Sequence, residues 1–104
     1  MNKQILKDLR KVSKDDKKTL DQKCLKLGEE YGELAQVILP YVGAPGCRHK
    51  VTGKNLILEE SVDVLICALS ILYQLDIPDK DIDAALVKKL NKWKRNLKKK
   101  VNKV

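Results

Sequence analysis

Apolar side chains recur every three or four residues through most of this 104-residue chain, and no segment alternates between apolar and polar residues. Spacing of three or four residues is typical of amphipathic helices, whereas half-buried strands alternate with a period of two. The sequence therefore predicts an all-α fold, a bundle of four or five helices in one domain. The clearest stripe lies in a helix predicted over residues 16–39 and consists of Leu20, Cys24, Leu27, Tyr31, Leu34 and Ile38.

Three more helices are predicted around that one. A short helix over residues 2–13 ends at a break, residues 13–16, which offers a new N-cap. A loop rich in glycine and proline, residues 40–55, separates the long helix from a third over 56–76, with Asn55 as its N-cap. The last helix begins at one of two capping aspartates, Asp79 or Asp81.

The second half of the third helix, residues 64–73, is apolar on nearly all sides. Such a helix lies at the centre of a fold or in an interface between subunits, so we expect an oligomer. The stretch is nevertheless too short to span a bilayer. The lysine-rich N-terminus has no apolar stretch after it, and the three cysteines are an odd number. We therefore expect no signal peptide, no membrane contact and a reducing, cytoplasmic location.

All five glutamates lie in two short clusters, Glu29-Glu30-x-x-Glu33 and Glu59-Glu60, and the second is followed by Asp63. In helices, residues three apart share a face, so two facing helices would bring four carboxylates to one point. Carboxylate oxygens in such a group suit Mg²⁺ or Mn²⁺. The predicted metal ligands are Glu30, Glu33, Glu60 and Asp63.

The alternative is a solvated helix face, or ion pairs made across helices. Lys26 does lie one turn before the first two glutamates, at i,i+3 and i,i+4 spacing. The other acids have only apolar or like-charged neighbours at helical spacing, although the chain has 22 basic residues. These unpaired acids favour the metal site, and they are Glu33, Glu60 and Asp63.

The two clusters, with 26 residues between Glu33 and Glu60, resemble the EExxE…ExxD signature of MazG-like all-α nucleotide pyrophosphohydrolases. The resemblance covers about residues 20–100. It implies a homodimer or homotetramer that hydrolyses nucleoside triphosphates, often deoxy ones, to a monophosphate and pyrophosphate, in nucleotide-pool control or house-cleaning. It implies Mg²⁺ at the four carboxylates named above, with Glu29 as a water-activating or outer carboxylate.

The resemblance also implies a phosphate-binding motif in the last helix, a lysine and an asparagine four residues apart followed by a basic residue. Lys92, Arg95, Asn96 and Lys99 fit this motif, and a second register would use Lys89 with Arg95. The chain then divides into a basic N-terminal helix (1–15), a catalytic helical core (16–97) and a basic tail (98–104). Among pyrophosphohydrolases, a phosphoribosyl-ATP pyrophosphohydrolase is an alternative.

The charge distribution leaves a different function open. Residues 1–19 carry seven basic and three acidic residues (+4), residues 20–87 six and eleven (−5), and residues 88–104 nine and none (+9). An acidic centre between basic ends suits a metal-bound polyphosphate. The basic ends alone equally suit a nucleic-acid-binding module without catalysis. Nucleic acid is the weaker alternative, because it leaves the unpaired acids unexplained.

Overall fold

The computed structural model describes residues 1–102, with side chains up to Lys100, and these residues are helical apart from caps and loops. They contain no strand, which confirms the predicted all-α class. Residues 103 and 104 of the predicted tail lie outside the described residues. In chain order the helices are α1 (Lys3–Asp15), α2 (Leu20–Tyr41), α3 (Lys54–Gln74) and α4 (Asp79–Asn102).

Helix α2 begins later than predicted, because a capping box fixes its start. The side chain of Thr19 accepts a hydrogen bond from the backbone N–H of Gln22, and the Gln22 side chain accepts one from the backbone N–H of Thr19. This reciprocal pair satisfies two N–H groups that the first helical turn leaves unpaired. Helix α1 accordingly continues through the predicted break to Asp15, and α2 begins at Leu20.

The predicted caps of the later helices are also displaced. The N-cap of α3 is Gly53 rather than Asn55, and its φ of 148° is a conformation that favours glycine. The hydroxyl of Thr52 donates to the carbonyl oxygen of Val37, which fastens this end of the loop to α2. Asp79 and Asp81 lie within the first turn of α4, where negative charge still stabilises a helix.

Helices α2 and α3 pack antiparallel, and α1 also packs against α3. Their direction follows from their contacts, because Val37 of α2 lies beside Thr52, whereas Lys23 shares a cavity with Ser70 near the other end of α3. The central position of α3 agrees with its apolar composition. Its Tyr73 is the largest fully buried side chain among the described residues.

Arg10 connects α1 to the start of α4. Its guanidinium lies 4.3 Å from the centre of the Tyr73 ring, a cation–π contact. The same group donates to the carbonyl oxygen of Ile77 at 2.9 Å and to Oδ1 of Asp79 at 2.8 Å. The first residue of α4 is therefore held against α1 and α3.

Beyond that anchor, α4 projects from the other helices. It makes no close backbone packing with α1, α2 or α3 over the part of the chain that the structure describes. The radius of gyration is 17.0 Å, against about 13 Å for a compact domain of 100 residues. The exposed apolar face of α4, named here the α4 face, consists of Leu86, Val87, Leu90, Trp93 and Leu97.

The inward face of α2 differs from the predicted stripe. Tyr31 is 68% exposed and Cys24 is exposed, although both were expected to face the core. Lys23 and Glu30 are instead buried against the neighbouring helices. Leu27 and Leu34 of the predicted stripe are half-buried, as expected, but its other four members are exposed. The inward face of α2 is therefore rotated from the predicted one and includes a lysine and a glutamate.

The described helices are α1 to α4, and a helix must be both long and apolar to span a bilayer. None of them, within residues 1–102, is both long enough and apolar enough to cross a membrane.

Candidate metal centre

Three of the predicted metal ligands meet between α2 and α3. One carboxylate oxygen from each of Glu30, Glu60 and Asp63 lies within 4.8 Å of the other two, and we name this group the carboxylate cluster. Glu60 and Asp63 share a face of α3 because they are three residues apart. The antiparallel packing of α2 places Glu30 opposite them.

The three side chains of the carboxylate cluster differ in burial: Glu30 is buried, Glu60 is half-buried and Asp63 is exposed. A buried glutamate is unusual. Glu30 is only 6% exposed, and its Oε2 has no hydrogen-bond partner. Oε2 of Glu60 is likewise buried without a partner. A buried carboxylate oxygen that loses water without gaining a donor or a cation is costly. A cation bound between these side chains would satisfy both oxygens, so the residues present fit a divalent ion.

Lys26 partly compensates the buried charge of Glu30. Its Nζ lies 3.1 Å from Oε1 of Glu30 and 3.4 Å from Oε2 of Glu29. These ion pairs raise the pKa of Lys26, through the hydrogen bond to Glu30 first and that to Glu29 second. Glu60 and Asp63 have no such ion pair among the described residues. The cluster therefore retains excess negative charge.

Glu33, the fourth predicted ligand, lies beside the carboxylate cluster and is exposed. It is not among the three side chains whose oxygens converge. Its pKa is raised, mainly by the charge of Glu30, then by a hydrogen bond to Glu30, by desolvation and by the charge of Glu60. The negative charge of the cluster therefore disfavours ionisation of Glu33. Its side chain would have to shift to join a metal site.

Glu29, the predicted water-activating carboxylate, lies outside the cluster. Its side chain is 67% exposed, and its ion-pair partner is Lys26. Lys26 also pairs with Glu30, so the two glutamates share one lysine. The structure therefore places Glu29 at the solvent side of the site.

The predicted phosphate-binding residues are separate from the carboxylates within one chain. They lie on the exposed surface of α4, which makes no close backbone packing with α2 or α3 in the described part of the molecule. One chain therefore does not assemble them into the same site. These residues are Lys92, Arg95, Asn96 and Lys99.

Sequence reasoning missed a cavity of about 180 Å³ next to the carboxylate cluster. Its most distinctive lining residue is Lys23, which is 4% exposed and lies seven residues before Glu30, two turns along the same face. That i,i+7 spacing was visible in the sequence. We name it the lysine cavity, and it is lined by Asp16, Lys18, Lys23, Lys26, Ile66, Cys67 and Ser70.

Cys67 links the lysine cavity to the carboxylate cluster, since it follows Asp63 by one turn of α3. Burial is the main cause that raises the pKa of the Cys67 thiol, and the charges of Glu30 and Asp63 raise it further. In the metal-free protein the thiol therefore stays protonated at neutral pH.

Comparison with protein-family models, with curated proteins and with solved structures finds no significant match for this chain.

Proposed function

We propose that this chain is a Mg²⁺-dependent nucleoside triphosphate pyrophosphohydrolase of the MazG-like kind, with Mn²⁺ as an alternative ion. It would cleave an NTP or dNTP to the monophosphate and pyrophosphate. The observation that carries the proposal is the buried Glu30, whose unpartnered Oε2 lies in a group with Glu60 and Asp63. A solvated acidic face would leave the oxygens of Glu30 and Glu60 in water, as those of the exposed Asp63 are, whereas Oε2 of Glu30 and Oε2 of Glu60 are buried.

The residues of the site have distinct roles under this proposal. Glu30, Glu60 and Asp63 would hold the ion, and Glu33 would become a further ligand if its side chain shifted toward them. When bound, the ion neutralises phosphate oxygens and makes a bound water more acidic. Glu29, on the solvent side, is the carboxylate that accepts the proton of the attacking water.

The proposal includes a homodimer or homotetramer. Only Leu69 and Tyr73 are buried hydrophobic residues among those described, which is a small core for a chain of this length. The α4 face and the exposed stripe of α2 that contains Tyr31 offer apolar surface for a second copy. In such an assembly α4 of one copy can bring its phosphate-binding residues to the carboxylate cluster of another.

A nucleic-acid-binding module remains the second candidate because of one observation. Helix α4 is exposed from Asp83 to Lys100, and its lysines surround a single tryptophan. Lysine and arginine on such a helix bind phosphates non-specifically, with affinity that falls steeply as salt rises. This candidate predicts binding of duplex DNA at low salt that does not depend on Glu30 or Asp63.

Pyrophosphate release from a panel of NTPs and dNTPs, in Mg²⁺ and in EDTA, tests the proposal. We expect metal-dependent release that Glu30→Gln and Asp63→Asn abolish. Glu59→Gln is the matched control, since Glu59 is an exposed neighbour outside the carboxylate cluster. Equal release by the wild type in Mg²⁺ and in EDTA would contradict the proposal.

A further inference from the structure

Lys23 carries a buried ammonium outside the carboxylate cluster, and the proposed metal centre does not use it. Its Nζ donates to the carbonyl oxygen of Ser13 at 3.0 Å, near the end of α1. A lysine ammonium has three donors, and this contact uses one of them. In the described part of the chain no carboxylate oxygen lies within 4.0 Å of this Nζ. A buried cation without a counter-charge is unfavourable, so the site favours an anion.

The lining of the lysine cavity has the charge and donors that an oxyanion requires. Three lysines and one aspartate line it, together with the hydroxyl of Ser70. The aspartate, Asp16, accepts a hydrogen bond from the backbone N–H of Lys18 at 3.2 Å. The ammonium of Lys18 has no ion-pair partner among the described side chains. The cavity is therefore net positive beside a net negative cluster.

Lys26 belongs to both sites. It lines the lysine cavity, and its Nζ also contacts Oε1 of Glu30. A divalent ion held by Glu30 would compete with the ammonium of Lys26 for the same carboxylate. Once released, that ammonium is available to an anion in the cavity as a charge-assisted donor. Ion and anion binding should therefore reinforce each other.

We infer that the lysine cavity binds a phosphate group of the substrate, with Lys18, Lys23 and Lys26 as its donors. The inference rests on the proposed function, because it assigns the polyphosphate to a place beside the metal ligands. It adds to the assignment implied by the sequence motif, because these phosphate contacts come from the same chain as the metal ligands, whereas the motif residues of α4 would come from a second copy.

Titration calorimetry with inorganic pyrophosphate at a fixed excess of Mg²⁺ tests the inference. We expect Lys18→Ala and Lys23→Met each to weaken pyrophosphate binding about tenfold or more, the loss expected for a hydrogen bond to a charged group. Lys17→Ala is the matched control, because Lys17 is an exposed neighbour that does not line the cavity. Its affinity for pyrophosphate should equal that of the wild type.

Two further measurements separate loss of phosphate binding from misfolding and from loss of the metal centre. Far-UV circular dichroism and the melting temperature identify a variant that fails to fold, which is a risk for buried Lys23 but not for exposed Lys18. Mn²⁺ binding without pyrophosphate, followed by electron paramagnetic resonance, tests the metal centre by itself. Wild-type protein that binds no Mn²⁺ would contradict the proposed function.

The inference fails independently if Mn²⁺ binds and both Lys18→Ala and Lys23→Met keep wild-type affinity for pyrophosphate. It also fails if the wild type binds Mn²⁺ but no pyrophosphate. Loss of pyrophosphate binding in Lys92→Ala, with no change in the two cavity variants, would move the phosphate to α4 and overturn it as well.

Discussion

Nζ of Lys26 lies 3.1 Å from Oε1 of Glu30, so the most buried carboxylate of the cluster has a cation on one oxygen and no partner on the other. The pair follows from i,i+4 spacing on α2, and its partial burial separates it from an ordinary surface ion pair. A lysine in this position can neutralise Glu30 while the metal site is empty and release it when an ion binds.

Mg²⁺ or Mn²⁺ should raise the melting temperature of the wild-type protein. An ion that binds only the folded state at 100 times its Kd adds about 2.7 kcal/mol to the free energy of unfolding. Glu60→Gln should remove most of this gain because it removes a cluster oxygen, whereas Glu59→Gln should keep it. Differential scanning fluorimetry with and without EDTA measures both, and an equal gain in the two variants would place the ion elsewhere.

Glu33→Gln should stabilise the metal-free protein at neutral pH. The folded pKa of Glu33 is raised above 4.5, mainly by the charge of Glu30. Protonation of Glu33 therefore adds to the free energy of unfolding. This contribution is fully present below the pKa of Glu33 in the unfolded chain and is lost as the pH rises through its pKa in the folded protein. Above that range ionised Glu33 is repelled by the carboxylate cluster, and glutamine removes the repulsion.

Urea unfolding in EDTA at a series of pH values measures this effect. The difference between Glu33→Gln and the wild type should be largest at neutral pH and should vanish below pH ~4, where carboxylates are protonated. A constant difference across the series would mean that Glu33 acts through packing rather than charge.

Arg10→Met should destabilise the protein by about 1–3 kcal/mol. The substitution removes a cation–π contact with Tyr73 and the hydrogen bonds to Ile77 and Asp79 while keeping much of the side-chain volume. Lys7→Met on the same helix is the control, because Lys7 has none of these contacts. Chemical unfolding measures the loss, and equal stability of the two variants would show that Arg10 does not anchor α4.

Leu90→Glu together with Trp93→Glu should dissociate an oligomer that forms through the α4 face. Both side chains are about half exposed or more in the single chain, so charge there costs little until a second copy covers them. Analytical ultracentrifugation measures the mass in solution. Lys94→Glu, with its exposed position on the same helix, controls for the change in charge. A monomeric wild type, or an unchanged mass in the double variant, would contradict this interface.

The sequence predicted the pairing of acids on α3 because that pairing depends on local geometry alone. Glu60 and Asp63 share a face in any helix, and Lys26 reaches Glu29 and Glu30 at the spacing that favours ion pairs. The start of α2 is equally local, since the sequence contains the Thr19-x-x-Gln22 capping box, yet the predicted N-cap was the break at residues 13–16. The prediction was wrong because it considered which residue types cap a helix but not the second hydrogen bond, which Gln22 supplies.

The rotation of α2 could not be read from its sequence because two stripes compete along it. The stripe through Cys24 and Tyr31 is the more apolar, but packing against α3 buries Lys23 and Glu30 instead. A polar residue can be buried when its surroundings supply hydrogen-bond partners or leave room for a ligand. The spacing of apolar residues in the sequence does not reveal such partners. Leu27 and Leu34 of the more apolar stripe are half-buried. A second copy could cover its exposed members, which are Leu20, Cys24, Tyr31 and Ile38.

The sequence by itself determined the all-α class, the existence of the helices and the carboxylate pair of α3, because each depends on contacts within a few residues. Only the tertiary structure decided that Glu30 completes the carboxylate cluster while Glu33 lies beside it, that Lys23 is buried, and that α4 projects from the rest. These features depend on how one helix surface meets another, and many rotations of the same helices satisfy the same local rules.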